Sequence, residues 1–180
     1  MQDLSLHILD VVENSIAAKA SKVEIRVEED PERDQMILEI EDNGEGIPVH
    51  LLEKVIDPFY TTRTTRRVGL GLSLLRQAAQ QCDGNLEICS REGEGTLVRA
   101  VFRYNHIDRK PLGDITSTLV TLIVGNPTVE FRYVHIRSDE VFALDTMELK
   151  RELEDVPIDH PKVIQFIKDE VKAGLRAIGI

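Results

Sequence analysis

Cysteine is scarce: Cys82 and Cys89 are the only two in 180 residues, too few for a disulfide framework. No apolar run approaches the roughly 18 residues of a membrane span, and no basic stretch leads into an apolar one as in a secretory leader. Positive charge is also in deficit, with 22 Lys and Arg against 32 Asp and Glu and a formal net charge of −10. Such a chain is repelled as a whole by nucleic acid and by anionic membranes. These absences predict a cytoplasmic, reduced protein with no nucleic acid and no membrane among its partners. The two common phosphate loops are missing as well. There is no G-x-x-x-x-G-K-[ST], and Leu74 stands where G-x-G-x-x-G needs its last glycine. His106, His135 and His160 are scattered, without metal-ligand spacing.

An apolar share of 42% suffices for a core, and the length fits one to two small domains. In "LSLHILDVVENSIAA", Leu4, Ile8, Leu9, Val12 and Ile16 mark one helical face, with Asp3 as N-cap. "VEIRVEE" and "MILEIED" alternate around the turn "DPERD" and predict a hairpin. "DNGEGIP" is turn chemistry, and a short helix is expected from Pro48 to about Val55. "GLSLLRQAAQQC" has helical periodicity and ends at a D-G turn; "NLEICS" and "TLVRAVFRY" predict two more strands. Without regular βαβ alternation, the expectation is an antiparallel or mixed sheet with helices layered on one face. After the polar connector "NHIDRKPLGD" come an apolar helix, a hairpin "TVEFRYVHIRSDEVFAL" and two helices. One of these helices begins at Asp145 with Glu148 three residues on, the other near Asp159 with Pro161 in its first turn. "MELKRELEDV" reads as a solvated helix face, and both cysteines as small buried apolar residues. The division is thus 1–106 and 111–180, the latter a small helix–hairpin–helix–helix extension.

Three constellations carry chemistry. Asp42 ends a strand and is followed at once by Gly44 and Gly46, which allow a sharp turn and close backbone approach to a ligand. A carboxylate beneath such a turn needs a donor, and an adenine amino group is one; alone, the stretch also fits a surface Asn-Gly turn. His7, Asp10 and Asn14 share one face of the first helix, where a mid-helix Asn asks for a reason. An amide oxygen near a carboxylate suits a hard cation such as Mg²⁺, while a merely solvated polar face is the plainer alternative. The third is "DPFYTTRTTRRVGLGLSLL". Gly69 and Gly71 open a helix whose free N–H groups suit an anion, and four threonines with Arg63, Arg66 and Arg67 precede them.

Helix with Asn, strand into D-x-G-x-G, D-P-F-Y-T-T, G-L-G-L, then strand with G-x-G-T: this order resembles the GHKL superfamily of histidine-kinase-like ATPases, over Leu4 to about Tyr104. The resemblance implies the Bergerat fold, an α/β (α+β) two-layer sandwich binding ATP and Mg²⁺. It implies Asn14 as the Mg²⁺-binding asparagine and Asp42 as acceptor for the adenine amino group, with Gly44, Gly46 and Ile47 shaping the pocket. Asp57, Pro58 and Phe59 match the F-box, followed by Thr62 and Arg63. Gly69, Leu70, Gly71 and Leu72 match the glycine box, and Gly95 and Thr96 the last box, whose Thr commonly helps hold the adenine aspartate. Thr61–Val68 would be the ATP lid, its arginines counter-charges for the triphosphate.

The departures shape the expected activity. Asp10 stands four residues before Asn14, where hydrolysing members carry Glu; it is the candidate catalytic base, set back by one methylene. Ala17 stands where sensor kinases often have Lys. No helix pair with a phosphoacceptor histidine precedes the first helix, so the expectation is not a complete sensor histidine kinase. His7 is expected to be structural or at the pocket rim. The leading expectation is a Mg²⁺-ATP-binding regulator, a serine/threonine kinase or anti-sigma-like module acting on an unidentified protein partner. A slow ATPase switch, or a non-enzymatic ATP/ADP sensor for a partner such as a redox enzyme, are the alternatives; a homodimer is also compatible.

Overall fold

The computed structural model describes residues 3–52, 55 and 71–180. Helix α1 (Leu4–Ala17) starts where the Asp3 carboxylate accepts from the Leu6 amide, as its N-cap position requires. Strands β1 (Lys22–Asp30) and β2 (Gln35–Asp42) form the expected antiparallel hairpin, with Ile25 beside Ile40 and Val27 beside Leu38. Helix α2 is described over Val49–Leu52, within the stretch where the sequence predicts a short helix. Helix α3 (Gly71–Gln80) follows, buries Leu72, Leu75, Ala78 and Ala79, and stops before Cys82. Strands β3 (Asn85–Arg91) and β4 (Gly95–Arg103) pair antiparallel, and β4 also lies antiparallel to β2.

The segment beyond the connector joins the same sheet. Helix α4 (Ile115–Gly125) is capped by Asp114, and β5 (Glu130–Arg137) then runs parallel to β1, Val23 beside Phe131 and Ile25 beside Tyr133. Strand β6 (Glu140–Asp145) closes a hairpin on β5, giving a mixed six-stranded sheet in the order β3-β4-β2-β1-β5-β6. Helix α5 (Thr146–Leu153) is capped by Asp145, and α6 (Pro161–Ala177) by His160 rather than Asp159.

One face of the sheet carries Val23, Ile25, Val27, Met36, Leu38, Ile40, Ala100 and Phe102, all buried. Helix α1 packs on β1 and β2, α3 on β3 and β4, and α4 against both α1 and α6. The opposite face bears charges paired across strands, Arg26 and Arg99 with Glu39 and Arg132 with Glu24. The fold is the α/β sandwich expected. Among the described residues no helix is long and apolar enough to cross a membrane.

Two expectations need correction. Cys82 is buried but Cys89 is exposed, because it points to the charged side of edge strand β3. Helix α5 is not wholly solvated: Leu149 and Thr146 are buried against the sheet. His7, expected to be structural or at the pocket rim, is 1% exposed, and among the described residues neither ring nitrogen has a hydrogen-bond partner. Burial, followed by the charge of Lys110, lowers its pKa to about 4.

Candidate functional site

Asp42 lies at the end of β2 on the inner face, half-buried and beside Thr96 in register. Its Oδ2 accepts a 2.6 Å hydrogen bond from the Ser15 hydroxyl of α1, and its Oδ1 accepts from the Gly44 amide at 2.8 Å. Charge-assisted bonds of this kind hold a carboxylate's orientation closely. A carboxylate oxygen has two acceptor directions, so one remains on each oxygen for an incoming donor.

The turn beyond Asp42 is fixed by main-chain ties. The Glu45 amide donates to the Ala18 carbonyl (2.8 Å), and the Gly93 amide to the Glu45 carbonyl (2.7 Å). Gly95 adopts φ +106°, and a Cβ there would lie 1.9 Å from the Asp42 carbonyl oxygen, so only glycine lets β4 close on β2 at this point. The Ser90 hydroxyl accepts from the Ile47 amide (2.7 Å), donates to the Gly95 carbonyl (2.9 Å) and pairs with the Thr96 hydroxyl (2.8 Å). Asp42 is held directly by Ser15, and Thr96, beside it in register, pairs with Ser90.

Asp10 and Asn14, one helical turn apart on α1, flank this corner, each with a partly exposed side chain. The first residue of α3 reaches Asp10: a Cβ on Gly71 would lie 3.1 Å from the Asp10 Cβ and 3.6 Å from its Oδ2. The amino end of α3, the positive end of its dipole, thus stands beside α1. Leu72 turns into the core. The structure brings together Asp10, Asn14, Asp42, Gly44, Gly46, Ile47, Gly71 and Thr96. Asp57, Pro58, Phe59, Thr62, Arg63, Gly69 and Leu70, with the rest of Thr61–Val68, lie outside the described residues. Ser15 and Ser90 were not anticipated. Their signal was a serine at a core-facing position, Ser15 four residues beyond Val11 and Ser90 two beyond Ile88. Among the described residues no group of three or more His, Cys, Asp or Glu could hold a metal unaided.

Comparison with known proteins gives the family. Residues 2–106 match the family model described as histidine kinase-, DNA gyrase B- and HSP90-like ATPase. The chain is 37% identical over 102 residues to the sensor kinase CckA of Brucella abortus (strain 2308), covering 56% of this chain and 10% of that protein. It is 36% identical over 106 residues to the sensor histidine kinase YxdK of Bacillus subtilis (strain 168), covering 55% and 32%. The chain thus spans a third or less of the length of these curated relatives. Among solved structures, the ATPase domain of MutL from Aquifex aeolicus, complexed with ADP, has a TM-score of 0.53 at 20% identity and covers 86% of this chain and 68% of its own. The N-terminal domain of a DNA repair protein gives 0.57 at 20%, covering 82% and 53%. Both likenesses run past residue 106 and so share fold with part of the 111–180 segment. The chain belongs to the histidine kinase-, DNA gyrase B- and HSP90-like ATPase family.

Proposed function

We propose that the chain binds Mg²⁺-ATP at the corner between α1, the end of β2 and the start of α3, and that occupancy controls a protein partner. The observation that carries this reading is Asp42, held from two sides by Ser15 and Gly44 yet half-open, with spare acceptor directions. An adenine amino group satisfies that acceptor; guanine presents a carbonyl there and leaves two acceptors facing one another. The chemistry of Asn14 also fits the metal: its amide would supply a neutral hard oxygen, and a bound Mg²⁺ would supply charge neutralisation for the phosphates. Calorimetric titration with ATP and GTP tests the site. A preference for ATP of about 10⁴-fold is expected, and equal affinities would remove the assignment.

The activity follows from Asp10. It sits four residues before Asn14 and beside the amino end of α3, where a carboxylate can take a proton from water or from a partner's hydroxyl. Phosphate release or transfer to a serine or threonine of a partner is the reaction we assign. Asp10→Asn is expected to lower turnover by about 10²–10⁴-fold with ATP affinity retained. Absence of phosphate release or transfer in the wild type, with ATP bound, would leave an ATP/ADP sensor.

A further inference from the structure

The segment 111–180 is fastened to the nucleotide corner by two separate hydrogen-bonded routes, and each ends at a residue adjoining the ligand-facing groups. The first runs along α1. At its amino end the Leu4 and Ser5 amides donate to the carbonyls of Pro111 (2.9 Å) and Leu112 (2.8 Å). The Asp3 carboxylate accepts from the Ser5 hydroxyl and the Leu6 amide. Gly113 packs on that carboxylate so closely that a Cβ would lie 2.4 Å from the Asp3 Cγ. Helix α4 begins two residues later and packs on α1 and α6. Three turns on, at roughly 1.5 Å per residue, the same helix carries Asn14 and the Ser15 hydroxyl that holds Asp42.

The second route starts at Asn43, next to Asp42. Its side-chain oxygen accepts from the Ser21 and Lys22 amides, both at 2.9 Å, and its Nδ2 donates to the Ser21 hydroxyl. The Ser21 carbonyl accepts from the Glu130 amide of β5 at 2.8 Å. The Glu130 carboxylate in turn accepts from Lys150 Nζ (2.9 Å) and the Thr146 hydroxyl (3.1 Å), both on α5. Thr146 Oγ1, fully buried, accepts from the Phe131 amide.

We infer that residues 111–180 are the read-out of the nucleotide site, with α1–Pro111–α4 and Asn43–Ser21–Glu130–α5 as the two routes by which occupancy reaches them. This rests on the nucleotide-binding reading above. A ligand that tightens Asp42, Asn14 and the turn at Asn43 tightens both routes at their origin. By linkage, whatever steadies α4 and α5 then tightens the nucleotide site by the same factor.

Hydrogen exchange on the whole chain, with and without a Mg²⁺-bound non-hydrolysable ATP analogue, tests the inference. In the wild type, amides of residues 115–125 and 146–153 are expected to slow about fivefold or more on binding, a usual size for such coupling. Lys150→Ala should abolish the nucleotide-dependent change in 146–153 while leaving that in 115–125, and Gly113→Ala should do the reverse. The affinity of each variant for the analogue should fall by about the factor lost in protection. Lys150→Ala alters a partly exposed side chain and keeps the test standing if Gly113→Ala does not fold. Binding with unchanged exchange in both helices overturns the inference and leaves the nucleotide reading intact, as would variants that alter only the baseline exchange. A wild type that binds no analogue sinks both.

Discussion

Two acidic side chains stand on the inner face of neighbouring strands at opposite ends of the sheet. Asp42 adjoins Val23, and Glu29 adjoins Met36, six residues further along β1. At about 3.3 Å per residue they are roughly 20 Å apart. Asp42 is half-open, with acceptor capacity unspent. Glu29 is sealed: its carboxylate pairs with His135 Nε2 at 3.0 Å, and His135 Nδ1 meets the Tyr133 hydroxyl at 2.7 Å. Burial pushes the Glu29 carboxyl up, but His135, the Tyr104 hydroxyl and the Arg137 guanidinium outweigh it and leave it below its ordinary value. Burial, with the charge of Glu29, pushes the Tyr133 hydroxyl well up, so it stays protonated. The same residue chemistry thus does two jobs. A closed network whose members satisfy one another locks β1 to β5, and an open carboxylate with rigid supports keeps acceptor directions to spare.

The largest effect should come from breaking the closed end. Glu29→Ala leaves His135 Nε2 buried without its carboxylate partner and is expected to destabilise the fold by about 3–5 kcal/mol, read from the midpoint of urea unfolding. ATP affinity of the folded protein should be unchanged; a parallel loss of affinity would mean the two ends are not separate. Acidification sharpens the contrast through His7. Its folded pKa, about 4, lies below the ordinary 6.5, so the unfolded chain binds the proton first as pH falls. Stability is therefore full above pH 6.5 and is lost down to pH 4, by about 3 kcal/mol. His7→Leu should flatten that part of the profile, and an unchanged slope would assign it to other groups.

At the open end the effects fall on binding instead. Asp42→Asn is expected to weaken ATP binding by about 1.5–3 kcal/mol, with an unfolding midpoint close to wild type. A large stability loss would make Asp42 a structural residue like Glu29. The smallest effect should come from Ser15→Ala, which removes one of two supports and leaves the carboxylate in place. About 1 kcal/mol of ATP affinity is expected, again by calorimetry, and no change would pass the positioning role to the Gly44 amide.

Much of the fold was legible because its signals are local. Alternation in "VEIRVEE" and "MILEIED" placed Val23, Ile25, Ile40 and Leu38 on one face, and Asp3 and Asp145 cap helices through their own side chains. In the candidate site, the D-x-G-x-G turn and the Asp10–Asn14 spacing were readable, since both are set by short-range geometry. Ser15, Ser90 and the burial of His7 were not. Each depends on which distant element covers it: Asp42 is 27 residues from Ser15, and the Ile47 amide 43 from Ser90.

What the sequence by itself determined is the order of elements, the turn glycines, the ligand-class residues and the family resemblance, because propensity, capping and periodicity act within a few residues. Only the tertiary structure decided that β5 joins β1 in parallel, more than a hundred residues away in the chain, so that the 111–180 segment shares one sheet with the rest. Parallel partners are chosen by the whole crossover packing back on the sheet and by the side chains buried between them, of which a strand's own alternation carries no record. The same pairing set Glu29 against His135 and sealed it, while Asp42, at the other end, kept room for a ligand.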